Sequence, residues 1–393
     1  MSDSGWSYTG ITWDHPRGYG ALFEASRRLE QQGSRISIHW EKQSLAEFES
    51  KPIEELCARY DLVVMDHPHL GTAVSGNCLQ PLDEWLASAC IERLAQTTVG
   101  SSFESYYYRG KYWALPLDAA TQVMALRLDL LSARPVPVTW NEVLQLSKEV
   151  PVILSVSGPH ALMTFFSICV ALGESPASLD PALIISESIG AKALELMAEI
   201  SVRMSKILFE LNPIQILERM TQTDTIACCP LIYGYVNYAD PRALPSKVLT
   251  FGEAPVTGKG GRHGSTLGGT GLAVSRKARI CPELVDHLLW LVSADVQRNL
   301  IPHFDGQPSA IGAWSDPDLN QRWNGFYKNT FATIREAWIR PRYPGYIEFQ
   351  SEGSAIVRHG LREGRTISKV LQSLQEAYAK SLENSPDIHG KAG

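Results

Sequence analysis

The segment DLVVMD (61–66) constrains the chain most. Four consecutive apolar residues stand between two aspartates. A strand that is apolar at every position must be covered on both faces, and such strands belong to sheets with helices on each side. The neighbouring segments agree. YTGITW (8–13) and Arg35–Trp40 read as strands, while Tyr19–Gln32, Ala46–Arg59 and Pro81–Ala95 carry helical periodicity. Strand, helix, strand, helix, strand predicts a parallel, doubly wound α/β sheet.

The character then changes. SFESYYYRGKYWALPLD (102–118) is aromatic and turn-rich and reads as a β-ribbon. Thr139 followed by Glu142 spells a capping box at the start of a helix over Val138–Val150. Further helices are expected over Ala161–Gly173, Leu179–Leu211, Pro282–Leu300 and Ile367–Leu382, and strands over IACCPLIYGYVNYA (226–239) and GLAVS (271–275). The glycine-dense stretch VTGKGGRHGSTLGGTG (256–271) has neither a phosphate-binding lysine pattern nor a dinucleotide fingerprint, because the strand follows it.

Composition excludes several classes. The chain has 393 residues, 36 Lys plus Arg against 42 Asp plus Glu, and a net charge of −6. That balance gives no electrostatic footprint for nucleic acid or an anionic membrane. No apolar stretch is long enough to span a bilayer. The seven cysteines are odd in number and irregularly spaced, which fits reduced, mostly buried thiols, including Cys228 and Cys229. The start MSDSGWSYTGITW has no basic, apolar or cleavage region of a secretory signal. The expectation is a cytoplasmic protein as the sequence stands, periplasmic or extracellular if a signal peptide has been removed.

The order of segments resembles a known family. GKYWALPLDAATQVMALRLDLL (110–131), PVPVTWNEVLQLSKEV (135–150), Leu267–Ser275 followed by Pro282–Leu300 with Ala294 and Gln297, and PHFDGQPSAIGAW (302–314) are similar to successive motifs of the type-1 extracellular solute-binding proteins. These are the sugar-binding, maltose-binding-protein-like components of ABC importers. The resemblance covers nearly the whole chain. It implies a two-lobed periplasmic-binding-protein-like (type II) fold, with two doubly wound sheets and an inter-lobe cleft that closes on its ligand. Lobe one would comprise 1–117 plus 256–310, and lobe two 118–255 plus 311–393. Fold alone does not assign function, so the site is argued from residues.

Asp-His-Pro occurs twice, at Asp14–Pro16 after the first predicted strand and at Asp66–Pro68 after the third. Ligands of doubly wound sheets bind outside the carboxyl ends of the strands. Strands one and three are commonly adjacent, which would bring Asp14, His15, Arg17, Asp66, His67 and His69 toward one cleft. Carboxylates would accept hydroxyl protons, Arg17 would pair with a polarised oxygen, and Trp13, Tyr19 and Trp113 would stack on a ring. Asp118 at the crossover, Tyr233 and Tyr235 after an apolar strand, and Gly268, Gly269 and Thr270 complete the expected ligand contacts. His160, His303, Asp305, Trp314 and Arg342 are weaker candidates. A metal site from His15, Asp66, His67 and His69 has no motif spacing, and neither a metal nor a cofactor is expected.

Three readings compete. The first is binding of a small sugar, polyol or hydroxylated acid, with an ABC permease as a second partner and no nucleic acid. The second is a cytoplasmic enzyme on the same fold, an isomerase, lyase or hydrolase. In it His15 or His67, each beside Asp14 or Asp66, would move protons near neutral pH. The third is structural: the prolines stiffen loops, the aspartates cap turns and the histidines satisfy backbone groups.

Overall fold

The computed structural model describes residues 5–243 and 247–383. Its strands are β1 (Trp6–Trp13), β2 (Ile36–Gln43), β3 (Leu62–Met65), β4 (Leu115–Leu126), β5 (Cys228–Tyr233), β6 (Thr250–Gly252) and β7 (Leu267–Val274). The chain divides into two compact units. The first runs to Ala120 and takes in Gly268–Leu319 and Arg340–Pro344; the second comprises Thr121–Leu267, Asn320–Ile339 and the residues from Gly345 onward.

In the first unit the strand order is β2-β1-β3-β7. β1 runs parallel to β2 from Trp6↔Ile36 to Trp13↔Gln43, and parallel to β3 at Gly10↔Leu62 and Ile11↔Val63. β7 is antiparallel to β3, from Leu62↔Val274 to Met65↔Gly271. The order two-one-three is the doubly wound arrangement expected from the sequence. Alternate residues feed two cores. Leu62, Val64, Leu272 and Val274 join Leu22, Ala25, Leu284 and Leu288; Val63, Met65 and Ala273 join Ile53, Leu56 and Leu70. All four residues of β3 are fully buried or nearly so. Each such side chain contributes about 1.5–3 kcal/mol of transfer free energy, which is why an uninterrupted apolar run fits a position covered on both faces.

In the second unit, Gln122–Leu126 of β4 pair antiparallel with β5, and Met124–Leu126 with β6. Helix His160–Ala171 is buried along its whole length, and packs with helices Glu187–Ser201 and Tyr346–Glu363, both of which pack with Ile367–Glu383. A fully buried polar network is satisfied internally. The Gln122 amide donates to Thr164 and accepts from Ser167, Thr266 bonds Ser167, and Ser265 donates to the Gln122 carbonyl. Such networks stabilise only when every member has a partner.

Several expectations need correcting. Ala46–Arg59 is two helices, Leu45–Ser50 and Ile53–Arg59, because Pro52 interrupts the ladder. Pro282–Leu300 is also two, Pro282–Leu291 and Ala294–Asn299, the second capped by Ser293. Pro81–Ala95 becomes a short 3-10 turn and helix Ser88–Thr97, and Leu179–Leu211 narrows to Glu187–Ser201 plus a 3-10 turn. The expected ribbon over 102–118 is only a hairpin of Tyr107–Tyr108 with Lys111–Tyr112, leading into β4. Helix Tyr346–Glu363 was not expected at all. The capping box at Thr139 and Glu142 forms as read. All seven cysteines are free thiols.

Candidate ligand site

β1 and β3 are adjacent and parallel, so their carboxyl ends emerge on the same edge of the first unit's sheet. Helix Pro16–Gln31 starts immediately after β1. His15 is its N-cap: the Nδ1 atom accepts from the Arg17 backbone N at 3.1 Å. Asp14 stays outside. Its carboxylate is exposed and pairs with Lys42 at 2.7 Å, and the Lys42 ammonium lies 4.2 Å from the centre of the Tyr19 ring.

Arg17 turns inward. Its Nε and Nη2 donate to Asp118 Oδ2 and Oδ1 at 2.9 and 2.5 Å, and Gln307 N donates to the same Oδ2 at 3.1 Å. Both side chains are about 95% buried. Two expected ligand contacts therefore neutralise each other. A bidentate pair is the geometry in which a buried guanidinium and carboxylate best offset their desolvation. Trp13 covers the pair: it shares a void of about 10 Å³ with Arg17, Leu117, Asp118 and Ile301, and its ring sits 5.3 Å from Phe48.

After β3 the arrangement differs. Asp66 is the N-cap of the 3-10 turn His67–His69 and accepts from His67 N at 2.9 Å. Its other oxygen binds the Arg340 guanidinium. Burial alone would raise the Asp66 carboxyl, but Arg340 and His67 hold it well below the usual carboxylate range. His67 is completely buried. Its Nε2 accepts from Arg340 N at 3.2 Å, so the proton of the neutral ring sits on Nδ1, 3.2 Å from Asp66 Oδ1. His69 is buried beside them.

The electrostatics remove the basis of the acid/base reading. Burial lowers His15, His67 and His69 each to about 4, with the Arg17 charge adding at His15. At neutral pH all three imidazoles are uncharged hydrogen-bonding groups, poorly matched to moving protons near pH 7.

The remaining residues divide by exposure. Trp113 belongs to the core under β3 and donates its Nε1 to Tyr108 O at 2.8 Å. Gly268 and Thr270 are buried; Gly269 is partly exposed at φ +89°. A Cβ there would lie 2.4 Å from the Asp118 carbonyl, so only glycine permits this approach of β7 to β4. In the second unit, Tyr235 is buried, whereas Tyr233 is partly exposed, donates to the Met163 sulfur at 3.2 Å and lies edge-on to His160 at 5.8 Å. His160 is the first residue of its helix. Trp314 donates to Pro308 O and Asp305 adopts φ +61°, both local roles.

Sequence reasoning missed Arg340, Gln307 and Lys42. Arg340 had a signal: in IRPRYPG two arginines alternate with prolines, a segment rigid enough to hold a cation in place.

No family model matches the chain, and no curated protein matches it. Solved structures do. An ABC transporter solute-binding protein from Agrobacterium radiobacter K84, in complex with ribitol, is similar at TM-score 0.74 and 21% identity, over 98% of this chain and 100% of that one. A solute-binding protein from Agrobacterium vitis S4 with bound D-mannitol gives 0.74 and 16%, over 98% and 100%. Maltose-bound T. maritima MalE3 gives 0.76 and 16%, over 95% and 99%. The chain therefore has the fold of the ABC-transporter solute-binding proteins along its whole length, as its motifs implied.

Proposed function

We propose that this protein is a solute-binding protein for a small sugar or polyol, delivering it to an ABC permease outside the cytoplasm. The observation that carries this reading is the whole-chain likeness to proteins solved with ribitol, D-mannitol and maltose. Among the described residues no helix is long and apolar enough to cross a membrane. Within the first unit, the residues best placed to meet a ligand are those that keep exposure: Asp14 with Lys42, Tyr19, Asp66 and Gly269. A carboxylate, an ammonium and an aromatic face are what a ring of hydroxyl groups requires. Trp13, His15, Arg17, His67, His69, Trp113 and Asp118 then serve as the scaffold behind them.

Calorimetric titration with ribitol, D-mannitol, D-tagatose and maltose tests the reading. Binding of at least one is expected, with a melting temperature that rises with ligand concentration, by about 2.7 kcal/mol of stabilisation at a hundred times Kd. A folded protein that responds to none of them, nor to other sugars and polyols, overturns it.

A further inference from the structure

Arg340–Pro344 belongs to the first unit, while the residues on either side of it belong to the second. This short strap carries prolines at 341 and 344, so only Arg340, Arg342 and Tyr343 have a backbone N–H. It is fastened at two places. At one end Arg340 binds Asp66 through its guanidinium and His67 Nε2 through its backbone N–H. At the other, Arg342 Nη1 donates to the carbonyls of Tyr107, Glu104 and Ser105 at 2.6, 3.0 and 3.2 Å. Past the second fastening the strap lies close on Gly71: a Cβ there would stand 1.9 Å from the Arg342 carbonyl oxygen.

We propose that Arg340–Pro344 is a proton-releasable strap over the end of β3, with the His67 imidazole as its trigger. The bond from Arg340 N needs a lone pair on His67 Nε2. Protonating the ring puts a hydrogen on that atom, abolishes the acceptor and places a second cation beside Arg340. The groups facing His67 are Asp66, Arg340, Arg342 and the edge of the Tyr106 ring, with His69 beside Asp66. Burial holds the docked ring neutral to about pH 4, the two arginines act in the same direction and Asp66 opposes them. A released ring regains an ordinary value near 6.5. Acid between those limits therefore favours release, which frees the Asp66 carboxylate from Arg340. The regulatory meaning rests on the sugar-binding reading, in which Asp66 is a ligand contact; the strap itself does not.

Hydrogen exchange of the Arg340 amide in the full, ligand-free chain tests the strap. After correction for intrinsic exchange, its protection should fall about tenfold between pH 6 and pH 5, while Val63 and Val64 stay protected. His67→Gln, whose amide oxygen can still accept from Arg340 N but does not titrate, should flatten that dependence. Gly71→Ala should leave the Arg340 amide unprotected at pH 7. Protection that is independent of pH, that falls equally in His67→Gln, or that is lost only together with Val63 and Val64, overturns the proposal. D-Mannitol and maltose titrations at pH 5 and pH 7 form a separate arm. If neither binds at either pH but the strap still opens, the functional reading fails and the strap stands.

Discussion

The same tripeptide, Asp-His-Pro, follows two neighbouring parallel strands and is used in opposite ways. After β1 the histidine caps the helix and the aspartate faces solvent; after β3 the aspartate caps the turn and the histidine is buried. The reason is a one-residue offset. Pro16 is the first residue of its helix, which makes His15 the cap, whereas Pro68 is second in its turn, which makes Asp66 the cap. The rings hold their protons on opposite nitrogens as a result. His15 accepts at Nδ1 and His67 at Nε2. A motif thus specifies a set of hydrogen-bonding groups, and the register of the following helix decides which group points inward.

The contrast is broken most directly at the aspartate after β3. Asp66→Ala leaves the Arg340 guanidinium, 3% exposed, without its carboxylate. The expected loss is about 3–5 kcal/mol in chemical denaturation, because removing one partner strands a buried charge. A loss below ~1 kcal/mol would mean that the two loops are energetically alike. Acid sensitivity comes next in size. His287, in helix Pro282–Leu291, is buried and lowered to about 4 by burial alone. Its folded value lies below its unfolded one, so its contribution is complete above about pH 6.5 and is lost as pH falls toward 4. His287→Leu should therefore recover up to about 3 kcal/mol at pH 4 relative to the parent, measured by denaturation across that range. The His15 cap is smaller. His15→Ala should cost about 1 kcal/mol and His15→Asn much less, since an asparagine oxygen also accepts from the first turn. Equal losses in the two variants would show that burial, not capping, is what His15 supplies.

Much of this was legible before any coordinates. The apolar run of β3 required two covered faces, and two cores flank it. Both Asp-His-Pro loops were correctly placed at adjacent strand ends. What was not legible has physical causes. Helix Tyr346–Glu363 contains Gly353 and Gly360, residues of low helix propensity. In the fold they are close-packing positions: a Cβ on Gly353 would meet Leu374 at 2.9 Å, and one on Gly360 would meet Val370 at 2.5 Å. The ion pairs joined residues 101 and 274 positions apart, Arg17 with Asp118 and Asp66 with Arg340, and local pattern carries no information about such partners. Nor does it carry burial, which is what turned the two expected proton carriers, His15 and His67, into neutral acceptors.

The smallest expected effect on stability is also the one that separates scaffold from ligand contact. Asp14 is more than half exposed and its partner Lys42 more than a third. An exposed pair of this kind contributes about 0–1 kcal/mol and is screened by salt. Asp14→Asn should therefore shift the denaturation midpoint by less than about 0.5 kcal/mol equivalent. In the proposed function, however, the same carboxylate accepts a hydroxyl proton from the sugar, and a hydrogen bond to a charged group is worth about 1.5–3 kcal/mol. Affinity for the polyol or sugar that binds should fall tenfold or more. A variant that loses stability but keeps affinity would assign Asp14 to the scaffold and move the contact elsewhere on the first unit.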